Sequence, residues 1–193
     1  MAKAKQIPHF DIHAPNDNNA RIIIKTRLDE MYSWDACVDS SDRVQDLHNL
    51  RIAAKRLRYT LEMFETILPE ENALLRKEVE RIQEELGALH DSDVIIALLQ
   101  LSLSRQDSMS CVEDAQSTTS QGLPKARITF DPALLSCMLD PAVAPSAQER
   151  QGLNLLLTCL RREREEQYTA FHDHWYQLKE QDFRGQVVDT LEK

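Results

Sequence analysis

Hydrophobic residues recur along this chain at intervals of three and four, which is the period of an amphipathic α-helix. The clearest run predicts a helix over about 42–67, whose apolar face comprises Leu50, Ala54, Leu57, Leu61 and Phe64. The same spacing predicts a helix from about residue 18, another over about 70–89, a long helix over about 147–181 and a short tail helix over 183–191. The pattern therefore predicts a chain built from successive helices.

Polar clusters are predicted to separate these helices. Residues 39–42, Asp-Ser-Ser-Asp, are expected to end the first helix and to cap the second, because short polar side chains accept hydrogen bonds from the free N–H groups of a first turn. Pro69 is expected to end the second helix and to open the third. By the same reasoning residues 90–93, His-Asp-Ser-Asp, are predicted to be a turn and cap, with a fourth helix beginning at Val94.

The remaining segments lack a helical period. Residues 1–17 contain Pro8 and Pro15 and are predicted to be a flexible N-terminal arm. Residues 104–147 are rich in Ser, Gln, Asp and Pro, which predicts a long loop with one short helix at 132–139. With only 4 Gly and 6% aromatic residues, the chain is predicted to be all-α, a single antiparallel bundle of four to six helices over 18–193.

The net charge of the chain excludes some classes of binding partner. A formal net charge of -9 opposes general binding of nucleic acid or of an anionic membrane, so neither is expected as a partner. The four cysteines lie far apart without a C-x-x-C pair, which predicts reduced thiols and the cytoplasm. The first residues lack the apolar core of a signal peptide, and the apolar stretch 94–103 is too short to span a bilayer, so we expect the protein to stay in the cytoplasm.

Basic residues nevertheless form a stripe on the helix over 42–67. His48, Arg51, Lys55 and Arg58 lie on one side of that helix, beside its apolar face, and residues 48–58 contain no acidic residue. Arginine offers a planar pair of donors to two phosphate oxygens, and lysine adds a compact charge. Repeated at intervals of one helical turn, about 5.4 Å, such groups suit a linear polyanion. Arg56 points to the far side and is expected at the surface.

A solvated basic face, paired with glutamates four residues away, is the alternative interpretation of this stripe. Glu62 lies four residues after Arg58 and supports that alternative, since such pairs are common on exposed helix faces. The spacing alone leaves both interpretations open.

The long helix over 147–181 carries a second basic group. Arg164 shares a face with apolar residues, so its charge must be paired, reach solvent or meet a ligand. Arg161, His172 and Lys179 line one shoulder of that face, and they would border a shared groove if this helix packs against the helix over 42–67. An ion pair of Arg164 with Glu80, Glu84 or Glu85 is the alternative.

Catalytic and metal-binding patterns give little support for an enzyme. His90, Asp91, Asp93, His172 and His174 could in principle hold a metal, but helix caps and surface histidines explain them more simply. The chain contains no Walker loop, no dinucleotide-binding glycine pattern, no G-x-S-x-G and no H-E-x-x-H. We therefore expect no enzymatic activity, no metal and no cofactor.

Two motifs resemble the CHAD family, the conserved-histidine α-helical domain. LHNLRIAAKRLRYTLEMF at 47–64 is similar to that family's H-x-x-R-x-x-x-[RK]-R-L-R helix, and RIQEELGALHDSDVIIALL at 81–99 is similar to its L-G-x-x-x-D-x-D-V junction. A weaker similarity is R-x-x-x-Y-x-x-F-x-x-x-W at 164–175. Full-length members consist of two related halves facing a basic cavity, whereas this chain has one copy of the first motif, which makes the pairing of two chains a hypothesis.

This resemblance implies a helical bundle that binds inorganic polyphosphate, associates with polyphosphate granules and has no activity of its own. It implies the binding positions His48, Arg51, Lys55, Arg56 and Arg58, and less directly Arg81 and Arg164. His90 stands where the family commonly has Arg or Asn, so one basic contact would be missing or pH-dependent. A protein-interaction scaffold that has lost its ligand is the alternative function, and a metal-dependent phosphate hydrolase is the third hypothesis.

Overall fold

The computed structural model describes residues 3–8, 13, 15–68, 72–110 and 146–192, with the side chains of 72 and 104–110 left out. Over these ranges the regular structure consists of α-helices and one 3-10 helix, and no strand occurs, so the predicted all-α class is confirmed. Pro69, residues 111–145 and the short helix predicted at 132–139 lie outside the described residues.

The described helices follow one another in this order: α1 (Asn16–Tyr32), a 3-10 helix (Asp35–Cys37), α2 (Val44–Met63), α3 (Asn72–Ser110), α4 (Ala147–Glu180) and α5 (Phe183–Glu192). The helices predicted over 42–67, 147–181 and 183–191 are thus confirmed, with their ends moved by a few residues. The predicted apolar face of α2 is also confirmed, because Leu50, Ala54, Leu57 and Leu61 are buried.

The turn predicted at residues 90–93 is absent, because α3 runs through it without a break. Two helices predicted over 70–89 and from Val94 are therefore one helix, which also includes residues 104–110 of the predicted loop. Asp93 does not act as a cap; its carboxylate accepts a hydrogen bond from Arg164 Nε at 2.9 Å. Ser92 is buried in the same helix. Tertiary contacts thus occupy the side chains that suggested a cap.

The junction between α1 and α2 also differs from its prediction. Helix α1 ends at Tyr32, and the chain then tightens into the 3-10 helix, in which the Val38 N–H donates to the Asp35 carbonyl. No side chain caps α2. Arg43 instead precedes the helix and reaches both Asp46 Oδ2, at 3.0 Å, and the Ala36 carbonyl, at 2.9 Å.

The chain divides into two compact units, Met1–His90 with Gln167–Lys193, and Asp91–Glu166. The first unit holds the main hydrophobic core, in which Phe171 and Trp175 of α4 pack with apolar residues of α1, α2 and α3. Each large apolar side chain buried there contributes about 1.5–3 kcal/mol of transfer free energy. The Trp175 indole donates to Asp35 Oδ1 at 2.8 Å, and the Tyr168 hydroxyl donates to the Val38 carbonyl at 2.6 Å.

Residues of the predicted N-terminal arm contact α1. Lys5 Nζ donates to the Asp29 carbonyl at 3.2 Å, and Arg27 donates to the Lys5 carbonyl at 3.1 Å. The helix itself begins at Asn16, just inside the range predicted for the arm.

Among its described residues, the second unit has several exposed apolar side chains. Leu157 is buried, whereas Ile95, Leu155 and Leu156 are exposed by 45%, 63% and 47%. The stretch Ala73–Leu103 reaches a mean hydropathy of 1.3 over 18 residues, which by length and composition is enough to cross a membrane. Core helices of water-soluble proteins, which are mostly buried, pass the same criterion, but here 17% of the window is buried. The stretch also contains the carboxylate that pairs with Arg164.

Candidate anion-binding site

Helix α2 presents three basic side chains on one side, one turn apart. His48 and Arg51 are half-buried, and Lys55, the last of the three, is exposed. The His90 ring of α3 stacks on the His48 ring, with centroids 4.4 Å apart and an interplanar angle of 36°. One turn earlier on α3, Gly87 faces Arg51, and a Cβ there would lie 3.7 Å from Arg51 Nε. These residues form what we call the imidazole–arginine cluster: His48, Arg51, Lys55 and His90.

The charges of Arg51 and Lys55 have no counterion among the described residues. Within the described part of the chain, neither Arg51 nor Lys55 forms an ion pair, although the protein as a whole is acidic. His48 Nδ1 and Arg51 Nε are buried and have no hydrogen-bond partner among the described residues. Buried polar atoms in proteins are normally hydrogen-bonded, so such atoms mark a place where an external partner is expected.

His48 is held in its neutral form. Burial lowers its pKa most, and the nearby charges of His90 and Arg51 lower it further. Each of these influences opposes a positive charge on the ring, because burial removes water and the two neighbours repel a proton. At neutral pH His48 therefore offers one N–H donor and one acceptor nitrogen.

Tyr59 supports the outer end of the basic stripe. Lys55 Nζ lies 5.5 Å from its ring centroid, and the Arg58 guanidinium lies 4.9 Å from it. Arg58 also contacts Glu62 at 3.5 Å and Glu80 at 3.4 Å, so part of its charge is neutralised. The alternative interpretation of the stripe rested on an ion pair of Arg58 with Glu62, and that pair is observed. Arg51 and Lys55, in contrast, form no ion pair among the described residues.

Arg56 points away from the cluster, as predicted, but it is bound to another residue instead of free at the surface. Its guanidinium pairs with the buried carboxylate of Glu30, which also accepts from Arg27 at 2.7 Å. A buried carboxylate between two guanidinium groups is a structural arrangement, since removal of the carboxylate would take this counterion from both guanidinium groups.

Arg164 lies in the second unit and pairs inside it. Only 7% of its side chain is exposed; its guanidinium contacts Asp93 at 2.9 Å and Glu165 at 3.2 Å. The predicted alternative, an ion pair, is observed, with Asp93 and Glu165 as partners inside the unit. Arg161 is exposed on the same helix.

The remaining candidate residues have partners of their own. Lys179 contacts Asp35 at 2.9 Å, and Arg81 contacts Glu85 at 3.1 Å. His172 lies 3.4 Å from Asp173 and stacks against the Tyr176 ring at 4.7 Å between centroids. The candidate residues of the first unit therefore do not form one continuous group. His48, Arg51 and Lys55 are brought together, and His90 joins them.

Sequence reasoning missed His90 as a neighbour of His48. It treated His90 as part of a turn, whereas the continuous α3 places His90 and Gly87 on one face, three residues apart. That i, i+3 spacing was the available signal. In the described ranges no group of three His, Cys, Asp or Glu residues is arranged to hold a metal ion. His174 is occupied between Glu85, at 2.7 Å, and Glu78, at 3.3 Å.

Residues 8–100 match the family model described as the CHAD domain. This match covers just under half of the chain. The matched range contains the whole imidazole–arginine cluster, and the weaker motif at 164–175 lies beyond it. Neither a curated protein nor a solved structure gave a significant match. The family match therefore covers the part of the chain in which the imidazole–arginine cluster lies.

Proposed function

We propose that this protein binds inorganic polyphosphate, or a chemically similar polyanion, through Arg51, Lys55 and His48, without catalysing a reaction. The observation that carries the proposal is that Arg51 and Lys55 have no ion pair in the described part of an acidic protein. An uncompensated, half-buried guanidinium is costly unless an anion neutralises it. CHAD domains are associated with polyphosphate binding, which agrees with this chemistry.

The arrangement of the cluster favours a chain of phosphates over a single small anion. Arg51 and Lys55 follow each other by one helical turn of about 5.4 Å, and Tyr59 keeps both Lys55 and Arg58 near the same edge. Successive donors along a helix meet successive charges of a linear polymer. The stripe runs from half-buried His48 to exposed Lys55, so one end of the polymer path is open to solvent.

Calorimetric titration with short and long polyphosphates tests this proposal. The Arg51→Ala/Lys55→Ala variant removes two charge-assisted contacts of about 1.5–3 kcal/mol each, so the dissociation constant should rise at least tenfold. Arg162→Ala/Lys77→Ala is the matched control, because both residues are exposed and outside the cluster. It should bind within about twofold of wild type.

Salt dependence provides an independent measure of the same contacts. Binding of a polyanion releases counterions, so affinity should fall steeply between about 50 and about 200 mM salt. In a plot of log affinity against log salt concentration, the slope of the double variant should be shallower than that of wild type by roughly one for each lost contact. Equal affinity and equal slopes for wild type and the Arg51/Lys55 variant, with helicity intact by circular dichroism, would reject these residues as the site.

A protein-interaction scaffold is the second candidate function, favoured by the exposed apolar residues of the second unit. Ile95, Leu155 and Leu156 lie there with about half of their surface exposed or more. A second copy of the chain is the partner we propose. Sedimentation velocity should detect dimers that Leu155→Gln/Leu156→Gln dissociates and that Leu74→Gln, exposed by 68% in the first unit, preserves. A wild-type protein that stays monomeric would remove this candidate.

The proposed location follows from the proposed ligand. We expect the protein in the cytoplasm and on polyphosphate granules, where long phosphate chains accumulate. A fluorescent fusion should colocalise with granules, and the Arg51→Ala/Lys55→Ala variant should be diffuse. Phosphate release on incubation with magnesium and polyphosphate would instead support the hydrolase hypothesis.

A further inference from the structure

We propose that anion binding at the imidazole–arginine cluster is coupled to proton uptake by the stacked His48 and His90 rings, so that acidification strengthens binding. This inference rests on the proposed function and adds its regulation. The structural basis is the pair of imidazoles 4.4 Å apart beside a guanidinium that lacks an ion pair in the described ranges.

In the free protein this arrangement disfavours a proton on the pair. His48 lies on α2 with Arg51 one turn ahead of it, and His90 of α3 stacks against it. After burial, the charges of His90 and Arg51 lower the pKa of His48, because both repel a proton. Burial acts in the same direction, since it removes water from the ring.

A bound anion reverses this balance. Phosphate oxygens close to Arg51 neutralise its charge and accept a hydrogen bond from an imidazolium N–H, which is stronger than one from a neutral ring. The imidazole pair therefore holds a proton more tightly in the complex than in the free protein. By linkage, binding takes up protons wherever the pair is protonated in the complex and neutral in the free protein.

The sign and size of the pH effect follow from this linkage. Affinity for the anion should rise as pH falls from the pKa of the imidazole pair in the complex to its pKa in the free protein. The rise should be up to about tenfold per pH unit for one proton. At pH values below the pKa of the pair in the free protein, the affinity should stop rising, because the pair is then protonated before the anion binds. Above the titration of the complex, binding should rest on Arg51 and Lys55 alone.

Two probes separate protonation of the protein from protonation of the ligand. A phosphate monoester titrates with a second pKa near about 6, so chain ends of a short polyphosphate would take part in proton exchange. Long-chain polyphosphate has few ends per phosphate, and dextran sulfate has sulfate groups that do not titrate in this range. Proton uptake measured on binding of long-chain polyphosphate, or of dextran sulfate, therefore comes from groups of the protein.

Isothermal titration calorimetry in buffers of different ionisation enthalpy measures the protons taken up. With long-chain polyphosphate at pH near 7, we expect clear uptake by wild type, less than half as much by His90→Gln and by His48→Gln, and wild-type uptake by His13→Gln. His90→Arg places a permanent charge beside Arg51, so it should flatten the pH dependence of the dissociation constant. Helicity by circular dichroism verifies that each variant is folded.

The outcomes distinguish this inference from the proposed function. Polyphosphate binding without proton uptake, or uptake that is equal in wild type, His90→Gln and His48→Gln, would overturn the inference while the binding function stands. Absence of polyphosphate binding at every pH from about 6 to about 8 would overturn the proposed function itself. A steeper pH dependence in His90→Arg than in wild type would also contradict the inference.

Discussion

Arg164 of α4 donates from Nε to the carboxylate of Asp93 of α3 at 2.9 Å, and both side chains are largely buried, with 7% and 12% exposed. The pair lies within the unit Asp91–Glu166, where few of the described apolar residues are buried. A buried ion pair fixes how two helices meet, because loss of either partner leaves a charge in a poorly hydrated place.

The first prediction concerns this ion pair. Asp93→Asn and Arg164→Met should each lower the free energy of unfolding by about 3 kcal/mol, since each removes one partner of a buried ion pair. A double-mutant cycle measured by urea denaturation should give a coupling well above 1 kcal/mol. The exposed pair Arg162–Glu166 on the same helix, 77% and 72% exposed, is the matched control and should couple by less than about 1 kcal/mol.

The second prediction concerns Gly87, which faces Arg51 from the middle of α3. An added Cβ would lie 3.7 Å from Arg51 Nε, an ordinary contact distance. Gly87→Ala should therefore raise the free energy of unfolding, by up to about 1 kcal/mol, because alanine favours a helix over glycine. Gly87→Leu should displace the Arg51 side chain and weaken polyphosphate binding severalfold. A Gly87→Ala protein that unfolds more easily would show that the glycine is needed for close packing.

The third prediction concerns acid stability. Burial alone would raise the pKa of Asp35, but hydrogen bonds from Trp175 and Lys179 and the charge of Lys179 lower it overall from 3.8. A carboxylate with a lowered folded pKa stabilises the protein above its unfolded pKa, and this contribution is lost as pH falls through the folded pKa.

Stability measured by urea denaturation should consequently decrease below about pH 4, and Asp35→Asn should show a smaller decrease over that range. Trp175 fluorescence reports the same event, since its indole donates to Asp35. If the free energy of unfolding of Asp35→Asn changes with pH as it does in wild type, the acid sensitivity belongs to other carboxylates.

The fourth prediction concerns the two described cysteines. Burial and, to a smaller extent, the charge of Asp46 raise the pKa of the Cys37 thiol to about 12, while Cys159 is exposed. Thiolates are the reactive form, so Cys37 should be inert in the native protein. In a Cys111→Ser/Cys137→Ser background, a thiol reagent should label one cysteine quickly, and Cys159→Ser should remove that labelling. Rapid labelling of Cys37 in the native state would contradict its burial.

Hydrophobic periodicity predicted the helices well where one face of a helix meets a core. The apolar face of α2 and the lengths of α4 and α5 agreed with the structure, because the period of 3.6 residues is a local property of the chain. The errors lie where polar side chains have tertiary partners. Asp93 was assigned to a cap and instead pairs with Arg164, which is distant in sequence.

The candidate site shows the same division. The sequence placed His48, Arg51 and Lys55 on one side of a helix, and the structure keeps them there. It could not tell that Arg56 binds Glu30 of α1, or that His90 of α3 stacks on His48. Both relationships depend on which faces of α1, α2 and α3 meet, and helical spacing within one segment carries no such information.

The sequence by itself determined the helical class, the position of most helices, the basic stripe and the resemblance to the CHAD family. These follow from local periodicity and from residues that are neighbours along one helix. Only the tertiary structure decided which cations are neutralised, since Arg56, Arg164 and Lys179 find carboxylates on other segments while Arg51 and Lys55 find none in the described part of the chain. The physical reason is that the electrostatic environment of a charge depends on distances of a few ångströms, which packing of the helices sets.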